Sequence, residues 1–209
     1  MSGVKDDAST DIEGLVTKFA VDMSKSATEL MKNSAAKPKD GKSDPKSSNQ
    51  PLTIKFSLSA NKASKYRTPA EQAAEVADGR SWVCWGAHMS DKARHVIMSV
   101  NGKVSWDAKK VFGTNFAEFK KEWAANMRKH GLKNYKGQDG WGDGDEFHLE
   151  LPDARVPQTD ERAKACLQEY VRLTRDAGKQ KNSKFEENYK ALLKPYIDAS
   201  EAKTKSTSG

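Results

Sequence analysis

A turn between two apolar segments is the strongest structural constraint in this 209-residue sequence. The stretch HVIMSVNGKVSW places Asn101 and Gly102 between runs that are rich in β-branched residues. Asparagine followed by glycine accepts the positive φ angles of a type I′ turn, whose twist matches that of the two flanking antiparallel strands. The sequence therefore predicts a two-residue β-hairpin over residues 95–106.

The register of this hairpin distributes apolar side chains over both of its faces. A two-residue loop places Ser99 opposite Val104 and Ile97 opposite Trp106. The apolar residues of the two faces are Ile97, Val104 and Trp106 on one side and Val96, Met98 and Val100 on the other. Apolar content on both sides predicts that the hairpin is an internal part of a sheet and not an exposed flap.

Extended and helical segments surround the hairpin, and the sequence contains no internal repeat. The stretch LTIKFSLS alternates apolar and polar residues, which is typical of a strand. Capping residues precede helical apolar periods at Thr68, Asn115, Thr159 and Ser183. The sequence predicts an α+β fold in which several helices pack on a small antiparallel sheet with a central hairpin.

Composition divides the chain into an arm, a linker, a domain and a tail. The linker contains Pro, Gly, Ser, Lys and Asp but no large apolar side chain, so it cannot offset the entropy of ordering. We predict a helical arm over residues 1–33, a disordered linker over 34–51, one globular α+β domain over 52–200 and a disordered tail over 201–209.

The arm contains an amphipathic helix over residues 11–32, whose apolar stripe needs a surface to cover it. The residues predicted to mediate self-association from this stripe are Leu15, Phe19, Met23 and Leu30. Two alternatives stay open, since the helix could instead pack on its own domain or bind a different protein. Its polar side has as many acids as lysines, which disfavours binding to a membrane surface.

The net charge of +7 is concentrated in one block of the sequence. Residues 1–50 are neutral overall, residues 51–135 carry 15 Lys plus Arg against 7 Asp plus Glu, and residues 136–209 carry a net charge of −1. A concentrated excess of basic residues predicts a local positive field, which attracts polyanions such as nucleic acids.

Aromatic residues lie between the basic residues of this block, which makes it the candidate nucleic-acid-binding surface. Lysine and arginine neutralise phosphates, and an exposed aromatic side chain stacks on an unpaired base. The loop NKASKYRTP, between a strand and a capped helix, fits this description best. The predicted nucleic-acid-binding residues are Lys55, Lys62, Lys65, Tyr66, Arg67, Arg80, Lys92 and Arg94.

No catalytic or metal-binding motif is complete in the sequence. The loop Asp139–Glu150 matches an EF-hand at several positions, but Trp141 stands where calcium needs an oxygen ligand. The four histidines do not cluster along the chain, and Cys84 with His88 lacks the second pair of a zinc site. We expect no enzymatic activity, no cofactor and no metal site.

These features predict an RNA-binding, self-associating structural protein of the nucleocapsid or coat type, with little sequence specificity. A tethered arm, a basic aromatic block and a near-neutral helical C-terminal part resemble the general organisation of viral nucleocapsid and coat proteins, although no motif indicates one family. The expected partners are RNA or another nucleic acid and further copies of the chain. The sequence has no membrane span and no secretion signal, so the expected location is intracellular, in the cytoplasm or in a virion.

The alternative function is a non-enzymatic interaction or regulatory module. In this hypothesis the N-terminal amphipathic helix recruits a protein partner and the basic charge is incidental. An enzyme with an unrecognised cysteine, histidine or carboxylate site ranks third.

Overall fold

The computed structural model describes residues 11–35, 52–61, 66–138, 141 and 145–207. The chain divides into two compact units, each built from two separate stretches. Unit 1 comprises Met1–Asn61 and Arg94–Pro152, and unit 2 comprises Lys62–Ala93 and Asp153–Gly209. The predicted arm thus belongs to unit 1, and the predicted domain over 52–200 is shared between both units. Most of the predicted linker lies outside the described residues.

Helices and antiparallel strands are mixed along the chain, which confirms the predicted α+β class. The elements in order are α1 (Ile12–Ala35), β1 (Ile54–Leu58), α2 (Pro69–Ala77), β2 (Ala93–Val100), β3 (Lys103–Ser105), α3 (Ala108–Phe112), α4 (Phe116–Lys129), β4 (His148–Glu150), α5 (Glu161–Val171), α6 (Ser183–Asn188) and α7 (Lys190–Thr207). A π-helical turn at Arg172–Asp176 follows α5. Within the described ranges, every helix is too short or too polar to cross a bilayer.

Strands β2 and β3 form the predicted hairpin in the predicted register. Asn101 and Gly102 have φ angles of 48° and 80°, the positive values that a type I′ turn requires. Ser99 pairs with Val104, as expected from a two-residue loop. Strands β1 and β4 also pair with β2, so β2 lies inside the sheet.

The two faces of the sheet differ in their exposure to solvent. Ile54, Phe56, Val96 and Met98 share one face and are almost fully buried. On the hairpin's other side, Val104 is 59% exposed, and Trp106, just after β3, is 58% exposed. The expected burial of apolar side chains on both faces is therefore wrong at β3, which pairs only with β2 among the described strands.

Helix α1 covers the free edge of β1. The backbone N–H of Phe56 donates to Ser24 Oγ at 2.8 Å, and Thr28 Oγ1 donates to the Ile54 carbonyl at 3.1 Å. These side chains satisfy backbone groups that an open edge would offer to another chain. The helix is thereby attached to its own unit by hydrogen bonds as well as by apolar packing.

The residues predicted for self-association contribute to the packing of unit 1. Phe19 and Met23 are fully buried, and Leu15 and Leu30 are partly buried. The Phe19 ring packs edge-on against Trp123 of α4, with centroids 4.8 Å apart. The alternative that the helix packs on its own chain is therefore the one that the structure adopts.

An ionic contact joins α1 to the end of α4. Asp22 Oδ2 accepts a hydrogen bond from Lys129 Nζ at 2.7 Å and lies 3.0 Å from His130 Nε2. The hydrogen bonds from Lys129 and His130 lower the pKa of Asp22 below its usual value of 3.8. The charged form of this carboxylate therefore stabilises the folded state.

We expect Asp22→Asn to lower the melting temperature at neutral pH, because the amide loses the charge that Lys129 binds. A lowered pKa means that the contribution of Asp22 is complete above about pH 4 and disappears as the pH falls through the lowered value. The difference in melting temperature between wild type and variant should therefore shrink in acid. Glu29→Gln, at an exposed carboxylate of the same helix, is the control. An equal loss in that control would contradict a specific role of Asp22.

Unit 2 is mostly helical, and its helices enclose a separate core. The buried members of this core include Cys84, Trp85, Cys166, Leu167, Tyr170 and Phe185. Helix α2 has the predicted capping box, since Glu71 N donates to Thr68 Oγ1 at 3.2 Å and Thr68 N donates to Glu71 Oε2 at 2.9 Å. Helix α7 continues to Thr207, where the sequence predicts a disordered tail, because no Pro or Gly interrupts residues 201–207.

Candidate functional site

Alternate residues of three strands form the solvent-exposed surface beside the hairpin in unit 1. Lys55 pairs with Ser99, and Ser99 pairs with Val104, so these three side chains share one face of the sheet. Ile97 lies on the same face because it is two residues from Ser99. Lys55 and Val104 are exposed. The surface therefore combines a lysine amine with apolar side chains.

A pocket of about 270 Å³ borders this surface. The residues that line it are His95, Trp106, Asp145, Glu146 and Phe147. The Trp106 and Phe147 rings lie 6.0 Å apart between centroids and form an aromatic wall. The pocket thus combines an exposed aromatic ring, that of Trp106, with carboxylate and imidazole groups at its polar side.

Two histidines and two carboxylates form a connected cluster beside the pocket. His95 Nε2 lies 2.9 Å from Asp145 Oδ1, and His148 Nε2 lies 2.9 Å from Glu150 Oε2. The two imidazole rings are edge-to-face, with centroids 5.0 Å apart. Folding therefore brings together histidines that are far apart in the sequence.

Strand β4 positions the most deeply buried part of this cluster. Alternation along a strand places His148 and Glu150 on the same side, and both are buried. The Glu150 carboxylate has no solvent exposure, and Lys133 Nζ lies 3.4 Å from its Oε1. A buried carboxylate needs such partners, because desolvation of an unpaired charge is strongly unfavourable. The backbone of Lys133 also pairs with that of Glu150, with N–O distances of 2.9 and 2.7 Å.

The predicted nucleic-acid-binding residues do not belong to one unit. Lys55 and Arg94 are in unit 1, whereas Tyr66, Arg67, Arg80 and Lys92 are in unit 2. Lys62 and Lys65 lie outside the described residues. Unit 1 carries 19 Lys plus Arg against 16 Asp plus Glu, and unit 2 carries 17 against 13. The basic block of the sequence is thus divided between two units with similar small positive charges.

Neighbouring groups engage several of these basic side chains. Arg80 Nη2 lies 2.9 Å from a carboxylate oxygen of Glu75 and equally close to one of Asp78. Lys92 pairs with Asp153, and Arg67 donates to the Gln72 amide oxygen at 3.3 Å. An arginine or lysine that is held by a carboxylate has a smaller net attraction for a phosphate.

Arg94 lies in the interior of unit 1 and not on its surface. Its residue exposure is 4%, and its Nε lies 3.2 Å from Glu13 Oε1 of helix α1. By contrast, Lys55 and Tyr66 are exposed. Lys55 is the predicted residue that shares the exposed face of the sheet with Val104.

Sequence reasoning missed the residues that form the pocket. The hairpin register placed Trp106 on one face, but it did not show that this face is open. The alternation in FHLEL places His148 beside Glu150, whereas the approach of His95 and Asp145 depends on contacts between distant segments. No family model, curated protein or solved structure matches the chain.

Proposed function

We propose that unit 1 binds single-stranded nucleic acid, with RNA as the first candidate, on the exposed sheet surface around the hairpin. The observation that carries this proposal is the 58% exposure of Trp106 beside a pocket with an aromatic wall. A base that stacks on an exposed aromatic side chain contributes about 1–3 kcal/mol. Trp106 is therefore the proposed stacking residue.

The charges around the pocket support a specific orientation of the strand. Lys55 is on the exposed face and can neutralise a phosphate. Asp145 and Glu146 line the pocket, where their negative charge disfavours a phosphate. Carboxylates accept hydrogen bonds from exocyclic amino groups, such as that of cytosine. The bases are therefore proposed to enter the pocket while the sugar–phosphate backbone passes over the Lys55 side.

At the level of the whole protein, we propose a structural RNA-binding role of the nucleocapsid or coat type, together with other copies of the chain. One stacking residue and a modest positive charge favour weak sequence preference, which suits packaging. The buried stripe of α1 does not support the alternative module, because Phe19 and Met23 are already covered within unit 1. Self-association stays a prediction, and it requires surfaces other than that stripe.

Trp106→Ala should weaken the binding of a fluorescent single-stranded RNA by about 5- to 150-fold, which corresponds to the loss of about 1–3 kcal/mol of stacking. The measurement is fluorescence anisotropy with the full chain at one fixed salt concentration. Trp82→Ala is the matched control, because Trp82 is 59% exposed but belongs to unit 2.

Three results would contradict the proposal. Wild-type protein that fails to retain RNA would contradict the function itself. Equal affinities of wild type and Trp106→Ala would remove the stacking role, and equal losses in both tryptophan variants would remove the assignment to this pocket. Circular dichroism of each variant establishes that the fold is unchanged before the affinities are compared.

A further inference from the structure

We infer that two copies of the chain associate through the outer edge of strand β3, in an antiparallel pairing related by a two-fold axis at Val104. This inference rests on the proposed function only for the expectation that copies of the chain associate, and it does not depend on RNA binding. It assigns association to a surface other than the apolar stripe of α1, which is covered within unit 1.

The two edges of the sheet in unit 1 differ in how they are covered. Side chains of α1 satisfy outer backbone groups of β1, since Ser24 Oγ accepts a hydrogen bond from Phe56 N and Thr28 Oγ1 donates to the Ile54 carbonyl. Strand β3, in contrast, pairs only with β2 among the described strands. An uncovered edge is a template for pairing with another chain, so β3 is the edge that can accept one.

The register of the hairpin determines which backbone groups β3 offers. In a two-residue hairpin the pair next to the turn, here Val100 with Lys103, exchanges two backbone hydrogen bonds. Alternation along the ladder makes Ser99 with Val104 a pair without such bonds. The backbone N–H and C=O groups of Lys103 and Ser105 therefore point toward β2, and those of Val104 point away from it. The outer edge thus offers a donor and an acceptor from the same residue.

A second copy of this chain fits that edge because the offered groups are self-complementary. Across a two-fold axis, the Val104 N–H of each copy donates to the Val104 carbonyl of the other, so all four groups are satisfied. The same pairing places Lys103 opposite Ser105 of the other copy, which avoids a pair of like charges. The two Val104 side chains, each 59% exposed in the single chain, become neighbours on the exposed face of the sheet.

The symmetry of this pairing joins the exposed sheet faces of the two copies. The two-fold axis is perpendicular to the sheet, because paired residues of antiparallel strands place their side chains on the same face. The surfaces that carry Lys55 and Trp106 therefore adjoin and lie on one side of the dimer. A dimer of this kind presents one continuous exposed surface on which each of these residues occurs twice.

The test measures the mass of the nuclease-treated full chain, free of nucleic acid, by sedimentation equilibrium over a range of protein concentrations. We expect a reversible equilibrium between monomer and dimer. Val104→Lys should raise the Kd of the dimer by at least about tenfold, because two like charges would face each other across the axis. Val21→Lys is the matched control, since Val21 is a 50% exposed valine of the same unit and lies on α1.

Val104→Pro separates backbone pairing from side-chain contact. Proline lacks an N–H group, and at this position that group points away from β2, so the hairpin keeps its own bonds while both bonds across the axis are lost. We expect the Kd of the dimer to rise by at least about tenfold, with an unchanged circular dichroism spectrum.

Two results would overturn the inference. One is a wild-type mass that stays monomeric at every concentration, and the other is an equal Kd of the dimer in Val104→Lys and Val21→Lys. RNA binding by a monomeric chain would leave the proposed binding surface intact, and a dimer that fails to bind RNA would leave the β3 pairing intact. The two proposals therefore fail separately.

Discussion

Phe19→Ala is expected to lower the free energy of unfolding of unit 1 by about 3–5 kcal/mol and to leave the mass in solution unchanged. Phe19 is fully buried, and its ring lies 4.8 Å from that of Trp123 and 6.3 Å from that of His130. Removing the ring leaves a cavity between α1 and α4 that the surrounding aromatic side chains can only partly fill.

This result would distinguish packing of α1 on its own unit from exchange of α1 between copies. Urea denaturation followed by tryptophan fluorescence measures the stability, and sedimentation velocity measures the mass. Val21→Ala is the control, because Val21 lies on the same helix and is 50% exposed. A fall in mass at unchanged stability would contradict packing within the unit and would return Phe19 to the self-association surface predicted from the sequence.

Local features of the fold could be predicted because nearby residues determine them. The Asn101–Gly102 turn depends on the φ angles that these two residues accept, and its register follows from the loop length. The capping box of Thr68 and Glu71 likewise depends on a spacing of three residues. In both cases the sequence contains all of the interacting groups within a few positions.

The position of the positive charge could not be predicted, because proximity in sequence is not proximity in space. The chain passes from unit 1 to unit 2 after Asn61 and returns before Arg94, which divides the basic block. Arg94 then pairs with Glu13, which is 81 positions away. A charge count over a window of sequence contains no information about such partners.

The candidate site could be predicted only in fragments for the same reason. Strand alternation places His148 beside Glu150, but the contact of His95 with Asp145 joins residues that are 50 positions apart. An apolar pattern on both sides of the hairpin also does not determine which side the helices cover. The exposure of Trp106 therefore emerges only when the packing of α1 and α4 is known.

Arg94→Glu is expected to destabilise unit 1 by about 3–5 kcal/mol, because it replaces a buried guanidinium with a carboxylate that lacks a cationic partner and lies beside the half-exposed Glu13. The Arg94 side chain is 5% exposed, so water cannot solvate a new charge at this position. Arg94→Met should be much less harmful, since an apolar side chain of similar volume often replaces a buried charged group with little loss of stability.

Lys55→Glu makes the same change of charge at an exposed position of the same unit and is therefore the matched control for Arg94→Glu. We expect Lys55→Glu to keep the stability of the wild type and to weaken RNA binding with a smaller salt dependence, because a phosphate contact is lost. Urea denaturation and RNA titrations over several salt concentrations measure the two effects separately.

If Arg94→Glu kept full stability and lost RNA affinity, Arg94 would be a surface ligand of nucleic acid, and its burial against α1 would be contradicted. If Lys55→Glu unfolded the unit, the exposed sheet face would instead be part of the core.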